Sequence, residues 1–175
     1  MTAADKYDIC ETVYRFAHGV DTRDWALYRS ILSDEVSVDY SSYGGYAPAI
    51  HLGDEWVAGI APLFNGLAAT QHLMSNAVVD LDGDRAHCRM YLWAHHVFEP
   101  VDPASWFTVG GYYDDDLIRS SEGPVGWLIT GIKLTVTWRA GDPKIMALGR
   151  KRGLEMQGQP TTAPVLRPSL SQPQE

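Results

Sequence analysis

Histidines and carboxylates set among aromatic side chains are the parts from which acid–base chemistry is built. The sequence offers one such set in Thr70-Gln71-His72-Leu73-Met74-Ser75-Asn76 and Tyr91-Leu92-Trp93-Ala94-His95-His96. Asp82-Gly83 lies between the two runs, and such a dipeptide between alternating apolar stretches signals a β-hairpin. A two-residue turn there pairs Leu81 with Asp84 and carries His72 opposite Trp93. His95 is then the diagonal neighbour of His72, roughly 7–8 Å away on the same face. Period-two alternation adds Met74 and Tyr91 to that face and turns His96 away. The spacing predicts an apolar pocket with two imidazoles in it. Imidazole is the natural general acid or base near neutral pH.

Plainer readings exist for each residue. A single histidine on a strand is commonly structural, and His95-His96 also reads as simple in–out alternation. A zinc site from His72, His95 and an acid is conceivable but lacks short-range ligand spacing, so no metal is expected. His18, His51 and His87 read as surface residues.

A helix over residues 5–20 must position the acid. Cys10, Val13, Tyr14, Ala17 and Val20 recur at helical spacing, and Asp21 continues the same face. A carboxylate at the negative end of a helix dipole is disfavoured, so something cationic or hydrogen-bonding should answer it. Equally, Asp21 could only begin the turn Asp21-Thr22-Arg23-Asp24. Asp24 is a good N-cap for a short helix from Trp25 to Leu32. Val36 to Tyr40 alternates as a strand. Residues 41–48 form a Gly/Ser/Tyr-rich loop of the kind that covers a site. Asp54 is placed to cap a third helix from about Glu55 to Leu63 or Phe64.

The hairpin strands follow, over roughly 70–81 and 84–98. Further strands are expected from Trp106 to Ser120 and from Trp127 to Trp138, then a short helix within 143–156. Asp114-Asp115-Asp116 falls in mid-strand, where a triple acid is costly. It reads either as a solvated run or as one or two acids at the pocket mouth, with Asp114 and Asp116 the candidates. The order gives an α+β fold, with three N-terminal helices on a strongly curved antiparallel or mixed sheet that encloses a pocket. One domain is expected over residues 1–157, with a disordered tail of Pro, Gln, Ser and Thr over 158–175.

Composition narrows the partners. The chain has 175 residues and a net charge of −8, which argues against nucleic acid or an anionic membrane. No apolar run approaches the length of a membrane span. Cys10 and Cys88 are far apart and in no metal spacing, and read as reduced thiols of a cytoplasmic protein. The 6 Trp, 9 Tyr and 4 Phe either fill the core or line a site for a flat ligand. A Gly-rich phosphate loop, a dinucleotide fingerprint and a GxSxG elbow are all missing, so no cofactor is expected.

These pieces resemble the SnoaL-like branch of the NTF2-like superfamily, which includes scytalone dehydratase. The resemblance spans roughly residues 5–140. It rests on Asp21-Thr22-Arg23-Asp24-Trp25, Val38-Asp39-Tyr40-Ser41, Thr70-Gln71-His72, His95, and Gly110 to Leu117 with Gly126-Trp127. It implies a cone-shaped fold that forms dimers or trimers. By that likeness Asp21 and His72 match the dehydratase's acid–histidine pair, His95 its second histidine and Tyr40 its pocket tyrosine. The implied reaction is a cofactor-free syn elimination of water through an enolate. Two departures stand out: Val20 replaces a water-binding tyrosine, and the pocket Ser and Asn fall at Asp114 and Asp116.

The expected activity is therefore a lyase in which His72, oriented by Asp21, takes a proton next to a carbonyl. His95 and Tyr40 then hold the leaving group or the oxyanion. Tyr14, Phe16, Val20, Met74, Tyr91, Trp93, Asp114 and Asp116 are the expected substrate contacts, for a small, flat, hydroxylated or carbonyl-bearing molecule. The alternatives are an isomerase or cyclase of the ketosteroid-isomerase or polyketide-cyclase type, a non-catalytic small subunit of a ring-hydroxylating dioxygenase, and a ligand-binding module.

Overall fold

The computed structural model describes residues 2–45, 47–99 and 105–157; the expected tail over 158–175 lies outside these. Helix α1 (Ala3–Thr22) opens on a capping box, in which the Thr2 hydroxyl accepts from the Asp5 amide and Asp5 answers the Thr2 amide. It ends at Arg23, a non-glycine residue with φ of 62°. Helix α2 (Trp25–Ser30) begins where Asp24 accepts from the Leu27 amide at 2.9 Å. Helix α3 (Gly53–Asn65) starts before Asp54, and Leu52 at its N-cap makes no side-chain bond. Asp54 is thus a first-turn acid, paired with Arg29 at 2.7 Å, rather than the cap. A fourth helix, α4 (Lys144–Glu155), follows the sheet.

Six strands form one mixed sheet: β1 (Leu32–Asp39), β2 (Ala49–Leu52), β3 (Ala69–Asp82), β4 (Arg85–Val97), β5 (Trp106–Arg119) and β6 (Trp127–Gly141), in the order β2-β1-β6-β5-β4-β3. The short β2 falls just after the loop and was not expected. β1 runs parallel to β6, and the other neighbours are antiparallel. The sheet bends at bulges. One lies at Gly110/Gly111, where the Trp138 ring sits 2.0 Å from where a Cβ on Gly110 would be. Only glycine admits that approach. Helix α1 packs its buried face, with Ile9, Val13, Phe16 and Val20, into the concave side of the sheet. Trp127, Tyr28, Met90 and Leu117 fill the core there.

The hairpin departs from the simple register. Asp82 pairs with Arg85, so Gly83-Asp84 forms the turn. That moves the pairing by two residues and leaves the faces unchanged. A bulge between Ser75 and Val78 then moves it back by one. Asn76 takes φ of 54° there, a left-handed conformation that asparagine tolerates better than most residues. Beyond the bulge His72 pairs with Ala94, and Leu73 pairs with Trp93. A one-residue slip exchanges the faces of a strand, so His96 now shares the face of His72. Among the described residues no helix is long and apolar enough to cross a membrane.

Candidate active site

A cavity of about 610 Å³ opens between the concave face of the sheet, the loop after β1, and helices α3 and α4. Phe16, His72, His96, Tyr40 and Tyr113 line its inner part; His51, Glu55, Met146 and Arg150 also face it, from β2, α3 and α4. The walls are otherwise aliphatic or aromatic.

Asp21, in the last turn of α1, meets His72 on β3 twice. Its Oδ2 accepts from the His72 backbone amide at 2.7 Å, and its Oδ1 lies 2.6 Å from Nδ1 of the ring. The Thr70 hydroxyl donates to the same Oδ1 at 2.8 Å. A carboxylate beside Nδ1 places the ring proton there and leaves Nε2 with its lone pair. Burial works against the Asp21 carboxylate. The bonds from the His72 ring and amide and from Thr70 outweigh it and hold the carboxyl below its ordinary range.

The helix end is answered by Arg23, which the sequence shows only as a turn residue. Its guanidinium is buried and donates through Nη1 to the Val20 and Asp21 carbonyls and, at 2.8 Å, to the Thr70 hydroxyl. Burial pulls the Arg23 pKa down to about 10, with Asp21 opposing the shift. Arg23 therefore closes the negative end of the helix and steadies the threonine that holds Asp21.

His96 stands beside His72, with ring centroids 5.5 Å apart and planes at 88°. It is 4% exposed. Its Nδ1 lies 3.1 Å from the Phe107 carbonyl, which can only accept, so Nδ1 carries the proton and Nε2 is an acceptor. Burial, with the His72 ring beside it, holds His96 neutral, its pKa pushed down to about 3. The hydroxyls of Tyr40 and Tyr113 are 3.0 Å apart, and burial drives both phenols upward.

Several expected site residues lie elsewhere. His95 points to the other face, where its Nδ1 meets the Thr108 hydroxyl at 2.7 Å and its ring stacks on Trp93. Tyr91 and Trp93 are on that outer face too and are exposed, 55% and 39%. The bulge is the cause in all three cases. It also separates His72 from His95, which removes the zinc set considered for them. Met74 keeps the face of His72, but it packs on the core, as Tyr14 does, and neither lines the cavity. Val20 is fully buried in the core. Asp114 and Asp116 face away from the cavity. Asp114 holds Arg89 through two bonds, at 2.6 and 3.0 Å, and both acids meet the His87 ring. His87 is thus a partnered residue, its pKa raised first by Asp116. The inward acid of the run is Asp115. His51 is no plain surface residue either, since it lines the cavity against Trp56.

His96, Tyr113, Arg23 and His51 are the site residues the sequence reasoning missed. His96 carried a signal: an asparagine within a strand, at Asn76, marks where a register can slip. Tyr113 carried one too, since a single inward acid at Asp115 puts Tyr113 inside by period two.

The fold has parallels among known proteins. The family model for the SnoaL-like domain matches residues 1–133. No curated protein sequence matches the chain. Among solved structures, the Kfla4162 protein from Kribbella flavida is similar at 26% identity and a TM-score of 0.73, over 83% of this chain and 97% of that one. A putative scytalone dehydratase from Novosphingobium aromaticivorans is similar in fold at 16% identity and a TM-score of 0.67, over 79% of this chain and 87% of that one. So is a type 2 hexachlorocyclohexane dehydrochlorinase, LinA, at 15% identity and a TM-score of 0.64, over 79% and 89%. With the helices on a curled mixed sheet and the family model over most of its length, this chain belongs to the SnoaL-like domain family, within the NTF2-like superfamily.

Proposed function

We propose that the protein is a cofactor-independent lyase that eliminates water from a small hydroxylated carbonyl compound. The observation that carries this reading is the double contact of Asp21 with His72 at the inner part of an apolar cavity. Nε2 of His72 takes the proton α to the carbonyl, and Asp21 steadies the imidazolium that results. The enolate oxygen is met by a tyrosine hydroxyl. The carbon–oxygen bond of the β-hydroxyl then breaks, and the His72 proton leaves with it as water. His96 takes the place expected for His95. Its Nε2 can only accept while the ring is neutral, so it suits a hydroxyl of the substrate rather than an oxyanion. The donor to the oxyanion is then Tyr40.

The dehydratase and dehydrochlorinase among the structural neighbours are eliminating enzymes by name and fit the same reading. An inward acid–histidine pair favours an enzyme over a small subunit that only supports a partner. A flat, mostly apolar substrate suits walls made by Phe16, Trp56, Phe64 and Leu92. The exposed apolar side chains of the outer face, Leu73, Tyr91, Trp93 and Trp138, suit the expected dimer or trimer. The test is a panel of phenolic, polyketide-like and steroidal hydroxyketones, followed by mass spectrometry for loss of water. Turnover of one member that His72→Ala lowers by about 10²–10⁴-fold supports the reading. Equal turnover by His72→Ala overturns it.

A further inference from the structure

At the inner part of the cavity His72 and His96 both present acceptors, so a donor there comes from the tyrosines, and something must set which way their hydrogens point. The Tyr40–Tyr113 pair alone does not, because either hydroxyl can donate to the other. Behind Tyr113 lies a second, small space of about 10 Å³, lined by Phe16, Tyr28, Tyr113, Asp115, Ile129 and Ile132. This is room for one water, which needs at least two polar partners. Asp115 is 3% exposed, and its Oδ1 has no hydrogen-bond partner among the described residues. Tyr28, which also lines this space, accepts from the Trp56 indole at 2.8 Å, so its own hydrogen is not used in that bond.

We infer that Asp115 is a neutral acid and a positioning residue, donating through one water in this space to the Tyr113 hydroxyl, so that Tyr113 donates to Tyr40 and Tyr40 donates into the cavity. The electrostatics agree. Burial, and then the like charges of Asp114 and Asp116 on the other face, drive the Asp115 carboxyl well above its ordinary range. The groups facing it from other elements are Cys88 on β4 and the phenols of Tyr28 and Tyr40, all of which burial holds in the neutral form. A buried carboxylate without a cation is far costlier than the acid, which can donate. The acid is a donor at one end only, so it gives the chain a direction. The use of Tyr40 on an oxyanion rests on the lyase reading; the chain itself does not.

The test needs no turnover. In the infrared difference between wild type and Asp115→Asn at pH 7, the carbonyl stretch of an un-ionised carboxylic acid is expected. In protein carrying ¹³Cζ-tyrosine, Asp115→Leu is expected to move the Tyr113 and Tyr40 resonances. Asp115→Asn, whose amide still donates, is expected to keep them near wild type. A carboxylate band in place of the acid overturns the proposal. So do Tyr113 and Tyr40 resonances that stay still in Asp115→Leu. Should Asp115→Leu not fold, the infrared band and the Asp115→Asn resonances decide alone: the acid band with tyrosines near wild type upholds the chain, and displaced tyrosines overturn it. A protein that shows the chain yet eliminates water from no hydroxyketone would sink the lyase reading and leave this inference standing.

Discussion

Asp21 grips His72 from both sides of the residue, one oxygen on the backbone amide at 2.7 Å and the other on ring Nδ1 at 2.6 Å. A single carboxylate thereby fixes the rotamer and the tautomer together. Asp21→Asn tests the second effect apart from the first. The amide can keep its carbonyl on the backbone amide, but its NH₂ then faces Nδ1 and shifts the ring proton to Nε2. The variant is expected to fold and to show the reversed His72 tautomer by ¹⁵N NMR. On a turned-over substrate its rate should fall by about 10²–10⁴-fold. An unchanged tautomer would detach Asp21 from this role.

His96 makes the protein acid-labile. Its pKa is held down to about 3 by burial, whereas an ordinary histidine titrates near 6.5. The folded state therefore binds fewer protons than the unfolded chain between those values. The stability involved is fully present above the ordinary value and drains away as pH falls through the window. Each pH unit removes about 1.4 kcal/mol, so about 2–3 kcal/mol is gone by pH 4.5. Urea unfolding at pH 7 and 4.5 should show a loss smaller by about that amount in His96→Gln. Parallel losses in the two proteins would mean that His96 is not held neutral.

The bulge at Asn76 selects which histidine enters the cavity. Asn76→Gly should be close to neutral in thermal unfolding, because glycine accepts φ of 54° freely. Asn76→Val should cost about 1–2 kcal/mol, since a β-branched residue resists that region. A fully stable Asn76→Val would place the slip elsewhere.

Helix α4 closes one side of the cavity by lying against α3 at glycines. A Cβ on Gly153 would come within 1.8 Å of the Pro62 carbonyl. Gly153→Ala should push α4 off, costing roughly 1–3 kcal/mol as overpacking does. Because Met146 and Arg150 on α4 line the cavity, ligand affinity should fall as well. Unchanged affinity would show that α4 does not shape the site.

Much of this architecture was legible because it follows from local rules. The helix of residues 5–20, the cap at Asp24 and the long strands obey periodicity and hydrogen-bond bookkeeping. Asp21 could be singled out because an acid on an apolar helix face needs a partner, and the structure supplies Thr70, His72 and, through Thr70, Arg23. The faces of the hairpin were not legible, because parity carries a one-residue error to every side chain beyond it. His95, Tyr91 and Trp93 were lost to that one bulge. In the acidic run, counting charges could not say which carboxylates face out. Arg89 and His87 on the neighbouring strand pair with Asp114 and Asp116, and only Asp115 is left inside.

His72, held by Asp21, is proposed to remove a proton next to a carbonyl. Exchange of that proton for deuterium, followed by ¹H NMR in D₂O on a hydroxyketone the protein binds, reads this step without requiring elimination to finish. Wild type should exchange the α-proton, and His72→Ala should slow the exchange by about 10²–10⁴-fold while still binding the compound. Exchange by His72→Ala at the wild-type rate would contradict the account.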